Sequence, residues 1–325
     1  MEVLAREYNV SVTNIHLLLH NNNVKIKEGI YGAAENEVRT FVETVTKLKF
    51  NKDKTILGGK EIDLYNHELK LGIEYCGLYW HNESRPNRGV DYHYDKYKLA
   101  KDQGIQLITI FEDEWLNRNE QVKGALLSIL HKNPRKIHGR KCEVRLIESG
   151  LGKQFYNDYH IQGAANLSKH FAGLYFKDEL VGVLSFGLHH RNTTQHTLDR
   201  LCFKSGVTVM GGSDKLFRFL IKETGITKLI SWSDNRWFFG NVYPKLGFIK
   251  EGELKPDYSY VNINELCERV SKQSQKKGNT NCPVNLTEKQ WCAQRNLFRI
   301  WDCGKIRWVW EAGAVNSLAN KPTIK

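Results

Sequence analysis

Residues 61–81 read EIDLYNHELKLGIEYCGLYWH. Two short strand-like runs, one carrying Asp63 and the other Glu74, flank the polar turn Asn66, His67 and Glu68. Carboxylates on neighbouring strands are costly to bury unless they hold a cation or share a proton, so the pair predicts a catalytic site. The flanking segments build a layered domain around it. Ahead lies a helix, AAENEVRTFVETVTKL, opened by Glu35, with Val38, Phe41, Val42 and Val45 on one face. Residues 50–59 read as a polar connection with turn residues. Behind come the loop NESRPNRGV, a charged helix DYHYDKYKLAKDQG ending at Gly104 and the apolar strand IQLITIF. The acid cluster Glu112, Asp113 and Glu114 follows with Trp115, and then the helix NEQVKGALLSILHK. This order predicts an α/β arrangement around a mixed sheet. His67, Asp91, His93 and Asp95 read as solvated loop or helix residues.

The chain has 325 residues, 41% of them hydrophobic, enough for two domains with packed cores. A formal charge of +12 points to a polyanionic partner, because clustered Lys and Arg release counterions from a phosphate backbone. No apolar run approaches the roughly 18 residues of a membrane span, and MEVLAREYNV lacks a signal-peptide core, so a cytoplasmic location is expected, host cytoplasm if the chain is phage-encoded. Cys76, Cys142, Cys202, Cys267, Cys282, Cys292 and Cys303 form no CxxC pair and read as reduced thiols.

Residues 2–20 suggest a short helix, a break at Asn9-Val10 and a second helix with Ser11 as N-cap. Ala5, Val10 and Ile15 suit a small helix-turn-helix over residues 1–28, which would set Thr13, Asn14 and His16 against DNA and Lys25 and Lys27 on phosphates. An ordinary helical hairpin fits the same residues equally well.

The pattern resets after the basic, proline-containing run HKNPRKIHGRK at 131–141. KCEVRLIE reads as a strand, GKQFYNDYH as a helix and FAGLYFKDELVGVLSFGLH as a hairpin turning at Lys177, Asp178 and Glu179. The strand LDRLCFKSGV, a tight turn at Gly211-Gly212 and a helix SDKLFRFLIKETG with Leu216, Phe219 and Leu220 inward come next. KLISWSD, FFGNVYPKLG and FIKEGE then read as strand, helix-like stretch and strand. Residues 268–281 look like a flexible basic linker, and FRIWDCGKIRWVW like a hairpin turning near Cys303-Gly304.

The acid on one strand and the acid on the next resemble the PD-(D/E)XK nuclease superfamily, with Asp63 and Glu74-Tyr75-Cys76 in place of the motif and Cys76 where the lysine would stand. Gly77, Trp80 and His81 are similar to the Gly-x-x-Trp-His ending of the very-short-patch repair (Vsr) endonucleases. EIDLY, IEYCGLYWH and GIQLITIFEDEW together resemble the Vsr-like phage homing endonucleases over roughly residues 30–131. That resemblance implies Mg²⁺ on Asp63 and Glu74, catalysis by Glu35, Asp63, Glu74 and His81, and Glu112 or Asp113 supporting the histidine. On an unbroken strand Glu74 and His81 would point to opposite faces, so a bulge at Gly77 is needed to bring them together.

The second half resembles the GNAT acyltransferase fold, through its hairpin, strand, glycine turn at a helix start and YPKLGF. Backbone amides of Gly211, Gly212 and Ser213 would there hold a pyrophosphate, although GVTVMGGSDK departs from that family's usual loop. YHIQG and SWSDNR resemble the DNA-modifying Mom-like branch, which implies a possible second site at Tyr159, His160, Ser233 and Asp234, beside Ser231. The same residues also read as helix caps. A degenerate domain gripping DNA would need only Arg191, Arg200, Lys215 and Arg236.

The expected fold is α/β: a helix-turn-helix at 1–28, a Vsr-like mixed-sheet domain at 29–134, a GNAT-like domain at 140–265, and a basic linker with a hairpin at 266–325. The leading expectation is a Mg²⁺-dependent homing endonuclease acting on double-stranded DNA, as a dimer if it cuts both strands. The alternatives are a DNA-base modifying acyltransferase-like enzyme using acyl-CoA or a similar donor, and a non-catalytic DNA-binding protein.

Overall fold

The computed structural model describes residues 5, 7–8, 10–22, 32–265 and 268–313. The chain forms two compact units that do not follow chain order: residues 1–117, 235–237 and 255–304 make the first, and residues 118–234, 238–254 and 305–325 the second. No helix among the described residues is long and apolar enough to cross a membrane, and every described cysteine is a free thiol.

The first unit begins with α1 (Val12–Asn21), where the Asn14 amide donates to Ser11 Oγ at 3.0 Å, the bond of an N-cap. Ala5 and Ile15 are buried as expected, but Val10, expected as the buried turn residue, is exposed. Lys25 and Lys27 lie outside the described residues, as do the side chains of Thr13 and His16. Helix α2 (Ala33–Thr46) buries Val38 and Val42 one turn apart. A mixed four-stranded sheet follows in the order β1 (Asn51–Leu57), β2 (Lys60–Asn66), β3 (Leu71–Cys76) and β4 (Gln106–Phe111). β1, β2 and β3 run antiparallel, while β3 and β4 are parallel. Residues 51–57, expected as a connection, are therefore a strand. It is an edge strand whose side chains are mostly exposed, so it lacks the apolar alternation that announces a half-buried strand. Between β3 and β4 lie α3 (Leu78–His81) and α4 (Tyr92–Asp102), and α5 (Glu112–Asn117) closes this part of the chain.

The second unit opens with α6 (Asn119–Ile129), β5 (Arg135–His138), β6 (Glu143–Leu146) and α7 (Ser149–Tyr159). β7 (Ser168–Phe176) and β8 (Glu179–Leu188) form the expected hairpin, with Lys177 and Asp178 both at positive φ as a type I′ turn requires. β9 (His196–Phe203), β10 (Val207–Met210), α8 (Gly212–Thr224), β11 (Lys228–Asp234), α9 (Val242–Lys245) and β12 (Ile249–Leu254) complete this stretch. In α8 the buried residues are Leu216, Phe217 and Leu220, with Phe219 only partly covered, so the inward face is rotated from the expected one.

The chain then adds β13 (Tyr258–Asn262), β14 (Arg269–Ser271), α10 (Glu288–Gln294) and β15 (Leu297–Trp301) to the first unit, as a three-stranded sheet β14-β13-β15. It re-enters the second unit as β16 (Lys305–Glu311). Residues 269–271 are thus a paired strand rather than part of a flexible linker, because the Arg269 guanidinium is tied to Asp113 at 2.9 Å and Glu114 at 2.7 Å. The expected terminal hairpin is absent as well. β15 pairs with β13, whereas β16 pairs with β11 and β12, so the Cys303-Gly304 turn separates strands of two different sheets.

The second unit's main sheet has the order β12-β16-β11-β9-β8-β7-β6, so the last strand in sequence is inserted between β11 and β12. Its pairs are antiparallel except β9 with β11, which run parallel. That parallel pair positions the candidate site.

Candidate active site

In the first unit the two acids sit on adjacent strands as the sequence requires. Asp63 Oδ2 accepts the Tyr75 amide at 3.0 Å, and Glu74 is buried. The cation beside Glu74 is the ammonium of Lys96, which reaches Oε2 from α4, while Oε1 has no hydrogen-bond partner. Burial, reinforced by the Asp63 charge, pushes the Glu74 carboxyl up to about 8, and burial also raises Asp63. Glu35 lies 3.1 Å from Arg39 and 3.7 Å from Lys52. A Mg²⁺ on Asp63 and Glu74, as the sequence led us to expect, would have to share the Glu74 carboxylate with Lys96.

His81 does not join these acids. Gly77 makes no bulge; it precedes the short helix α3, which turns His81 so that its Nδ1 lies 3.0 Å from His93 Nε2, with the rings stacked at 5.3 Å. His93, expected in solvent, is buried, and its Nδ1 donates to the Trp301 carbonyl at 2.7 Å. Burial holds both imidazoles below their ordinary range, His93 at about 3. Glu112 accepts the Leu78 amide at 2.9 Å, and Asp113 is committed to Arg269, so both acids have structural partners rather than the histidine support expected of them. Lys96 escaped sequence reasoning although a signal existed. His93, Lys96, Tyr97 and Ala100 are the buried residues of α4 and follow i, i+3, i+4, i+7 spacing, a stripe hidden because two of its members are polar.

In the second unit, β9 and β11 pair at a single position, Thr197 with Ile230 at their N-terminal ends, and diverge beyond it. The ladder bonds lost in this fork are partly replaced by side chains. Ser231 Oγ donates to the Leu198 carbonyl at 2.8 Å and lies 2.9 Å from the Tyr243 hydroxyl, which donates to the Trp232 carbonyl at 3.1 Å. The Tyr243 ring stacks on Trp308, with centroids 5.0 Å apart and planes at 9°. Burial raises the Tyr243 hydroxyl above its ordinary value. A register shift leaves Asp199 as an extra residue opposite β8, which bends β9 where the fork opens.

The N-terminus of α8 meets the divergent end of β9. Gly212 packs so closely that a Cβ there would lie 2.9 Å from the Phe203 ring, and Gly211 takes φ 75°, a left-handed conformation natural to glycine. The first amides of a helix have no intrahelical acceptors and suit an anion; here Gly212 is buried and Ser213 half-buried.

Of the expected second site, His160 caps α7 and its Nδ1 accepts the Gln162 amide at 3.0 Å, while Gln162 Nε2 lies 3.4 Å from Asp234 Oδ2. Burial, with Arg200 and Arg118 adding to it, lowers His160 to about 3, which makes it a weak base. Ser233 Oγ accepts the Trp308 indole N–H at 2.9 Å, and Tyr159 packs edge-on against Phe155. The four residues expected to grip DNA differ in their surroundings. Arg200 donates to the Gly163 and Asp199 carbonyls, Lys215 to those of Gly139 and Cys142, and buried Arg236 pairs with Glu114, whereas Arg191 is exposed.

No protein-family model and no curated protein matches the chain. Among solved structures it is similar to a Bacillus subtilis acetyltransferase in complex with CoA, at 12% identity and a TM-score of 0.31, covering 53% of this chain and 99% of that one. A GNAT family acetyltransferase from Elizabethkingia anophelis with acetyl-CoA bound matches at 13% identity and 0.30, covering 53% and 98%. A ribosomal-protein-S5-alanine acetyltransferase from Vibrio fischeri matches at 13% and 0.32, covering 54% and 94%. These likenesses cover about half of this chain. The expectation of a Mg²⁺-dependent DNA endonuclease, a phosphodiester hydrolase of the homing type, is corrected: the likenesses named here are to acetyltransferases.

Proposed function

We infer that this protein is an acyltransferase that uses a coenzyme A thioester and acts on an amine acceptor. The observation that carries the reading is the fork between β9 and β11 beside the Gly211-Gly212 start of α8. An extended chain of amide groups hydrogen-bonds to an exposed strand edge as another strand would, and a diphosphate is stabilised by the free amides and dipole at a helix N-terminus. The two features together suit a donor with a diphosphate at one end of an amide-containing arm.

The donor supplies an activated carbonyl whose thiolate leaves as the acceptor nitrogen bonds to carbon. Tyr243 is placed to give that thiolate its proton, since burial keeps its hydroxyl protonated and the ring is held on Trp308. In this reading Asp234, at the end of β11, takes the proton from the acceptor amine. His160 serves to hold the Gln162 turn rather than as the base. The formal charge of +12 favours an acceptor carried on a polyanion, with the exocyclic amines of DNA bases as the class to try first.

The test is incubation with radiolabelled acetyl-CoA and, separately, double-stranded DNA, single-stranded DNA and small polyamines. Label should pass to an amine acceptor, and Tyr243→Phe, which keeps the ring and loses the proton, should slow transfer by about 10²-fold or more. Absence of transfer to every acceptor, or full activity in Tyr243→Phe, would contradict the mechanism.

A further inference from the structure

We propose that Cys76, His81 and His93 form a transition-metal site in the first unit, suited to Zn²⁺, with three protein ligands and a fourth position open to water. The three residues come from β3, α3 and α4, and their ligand atoms lie within 4.8 Å of one another. Neither the acyl-transfer reading nor the Asp63 and Glu74 pair uses them.

The spacing has the dimensions of a tetrahedral zinc site. Zinc–nitrogen bonds of about 2.0–2.1 Å and zinc–sulfur bonds of about 2.3 Å at tetrahedral angles put two nitrogens roughly 3.3 Å apart and sulfur and nitrogen roughly 3.6 Å apart. His81 Nδ1 and His93 Nε2 are 3.0 Å apart, and Cys76 Sγ and His93 Nε2 are 3.6 Å apart. The Cys76 and His81 ligand atoms lie within 4.8 Å of each other, so that pair closes by up to about 1.2 Å when an ion sits between all three.

The surroundings prepare the donors. His93 Nδ1 donates to the Trp301 carbonyl at 2.7 Å, which fixes the tautomer and turns the bare Nε2 lone pair toward Cys76 and His81. Phe111 meets the His93 ring edge-on and Tyr92 flanks both imidazoles, so the ligands are held in an aromatic shell. One thiolate with two imidazoles is a borderline-soft set that prefers Zn²⁺, Co²⁺ or Cu²⁺ over Mg²⁺ or Ca²⁺. On binding, the Cys76 thiol gives its proton to solvent as the sulfur–metal bond forms, and His81 carries its proton on Nε2 so that Nδ1 can coordinate. Without metal, the same rings are joined by one hydrogen bond from His81 Nδ1 to His93 Nε2, and the test separates these two states.

The full-length protein, stripped with a chelator, is titrated with Co²⁺ and followed by absorption spectroscopy, with Zn²⁺ as competitor. The expected result is one Co²⁺ per chain, visible d–d bands of tetrahedral strength and a thiolate-to-cobalt charge-transfer band, all displaced by Zn²⁺. Cys76→Ser should abolish the charge-transfer band, and His93→Asn should weaken binding by more than the roughly 10- to 100-fold typical of losing an outer-shell partner. Wild-type protein that shows no such bands overturns the proposal without any variant, as does a Cys76→Ser protein that keeps them. Thermal unfolding of each variant shows whether it is folded, and Cys76→Ala provides a second substitution if the serine protein is not. Acetyl transfer is measured in parallel: its failure leaves the metal result intact, and the converse also holds.

Discussion

Glu114 shows how a single buried carboxyl is decided by its neighbours. Burial alone would raise it, but Arg236 and Arg269 outweigh that and hold it down at about 2 from an ordinary 4.5. A depressed carboxyl contributes stability that is present above about pH 4.5 and lost as pH falls toward 2, here on the order of 3 kcal/mol. Glu114→Gln should therefore remove the acid-sensitive loss in that window. At neutral pH it should also destabilise the first unit by about 3–5 kcal/mol, because Arg236 and Arg269 both lose the buried carboxylate they bind. Denaturant unfolding between pH 2 and pH 7 measures both effects. Of this ion cluster the sequence disclosed only the acids. Arg236 and Arg269 stand far along the chain in segments that read as a strand end and a linker, and no local pattern links them to residue 114. Asp63 and Glu74 were legible because strand alternation and a tight turn are local; Lys96 was hidden on a helix face where polar residues stood in for apolar ones.

Most helices and buried strands followed from periodicity, and the exceptions share a cause. β1 and β14 are short or edge strands without apolar alternation, so pairing with a neighbour rather than their own composition makes them strands. Helix α10 was missed inside a polar stretch although it carries a complete capping box, with Thr287 Oγ1 accepting the Gln290 amide at 3.2 Å and Gln290 Oε1 accepting the Thr287 amide at 2.9 Å. Thr287→Ala should cost about 1 kcal/mol in the first unit and Thr287→Ser a few tenths, measured by urea unfolding. Equal stability of the alanine protein would show that packing of Cys292 and its neighbours, not the cap, holds this short helix.

Across the chain, the α/β class was legible, while the interleaving of the two units was not. The chain leaves the second unit after Leu254 and re-enters it at Lys305, and the strand added last is inserted between β11 and β12. Periodicity identifies a strand but not its neighbours, so residues 298–310 read as one hairpin. The endonuclease-like motifs are local in the same way, and they do not disclose the partners of His81 and Glu74, which are His93 and Lys96. The fork between β9 and β11 was invisible for the same reason, since two strands that diverge have the same sequence pattern as two that pair. Acyl-donor binding at that fork is the central claim, and calorimetric titration of the full-length protein with acetyl-CoA tests it most directly. Saturable binding at one site is expected, weakened about tenfold or more by Ser213→Asp, which adds a charge where the diphosphate would sit while favouring the helix itself. No heat of binding, or binding unchanged in Ser213→Asp, would contradict the account.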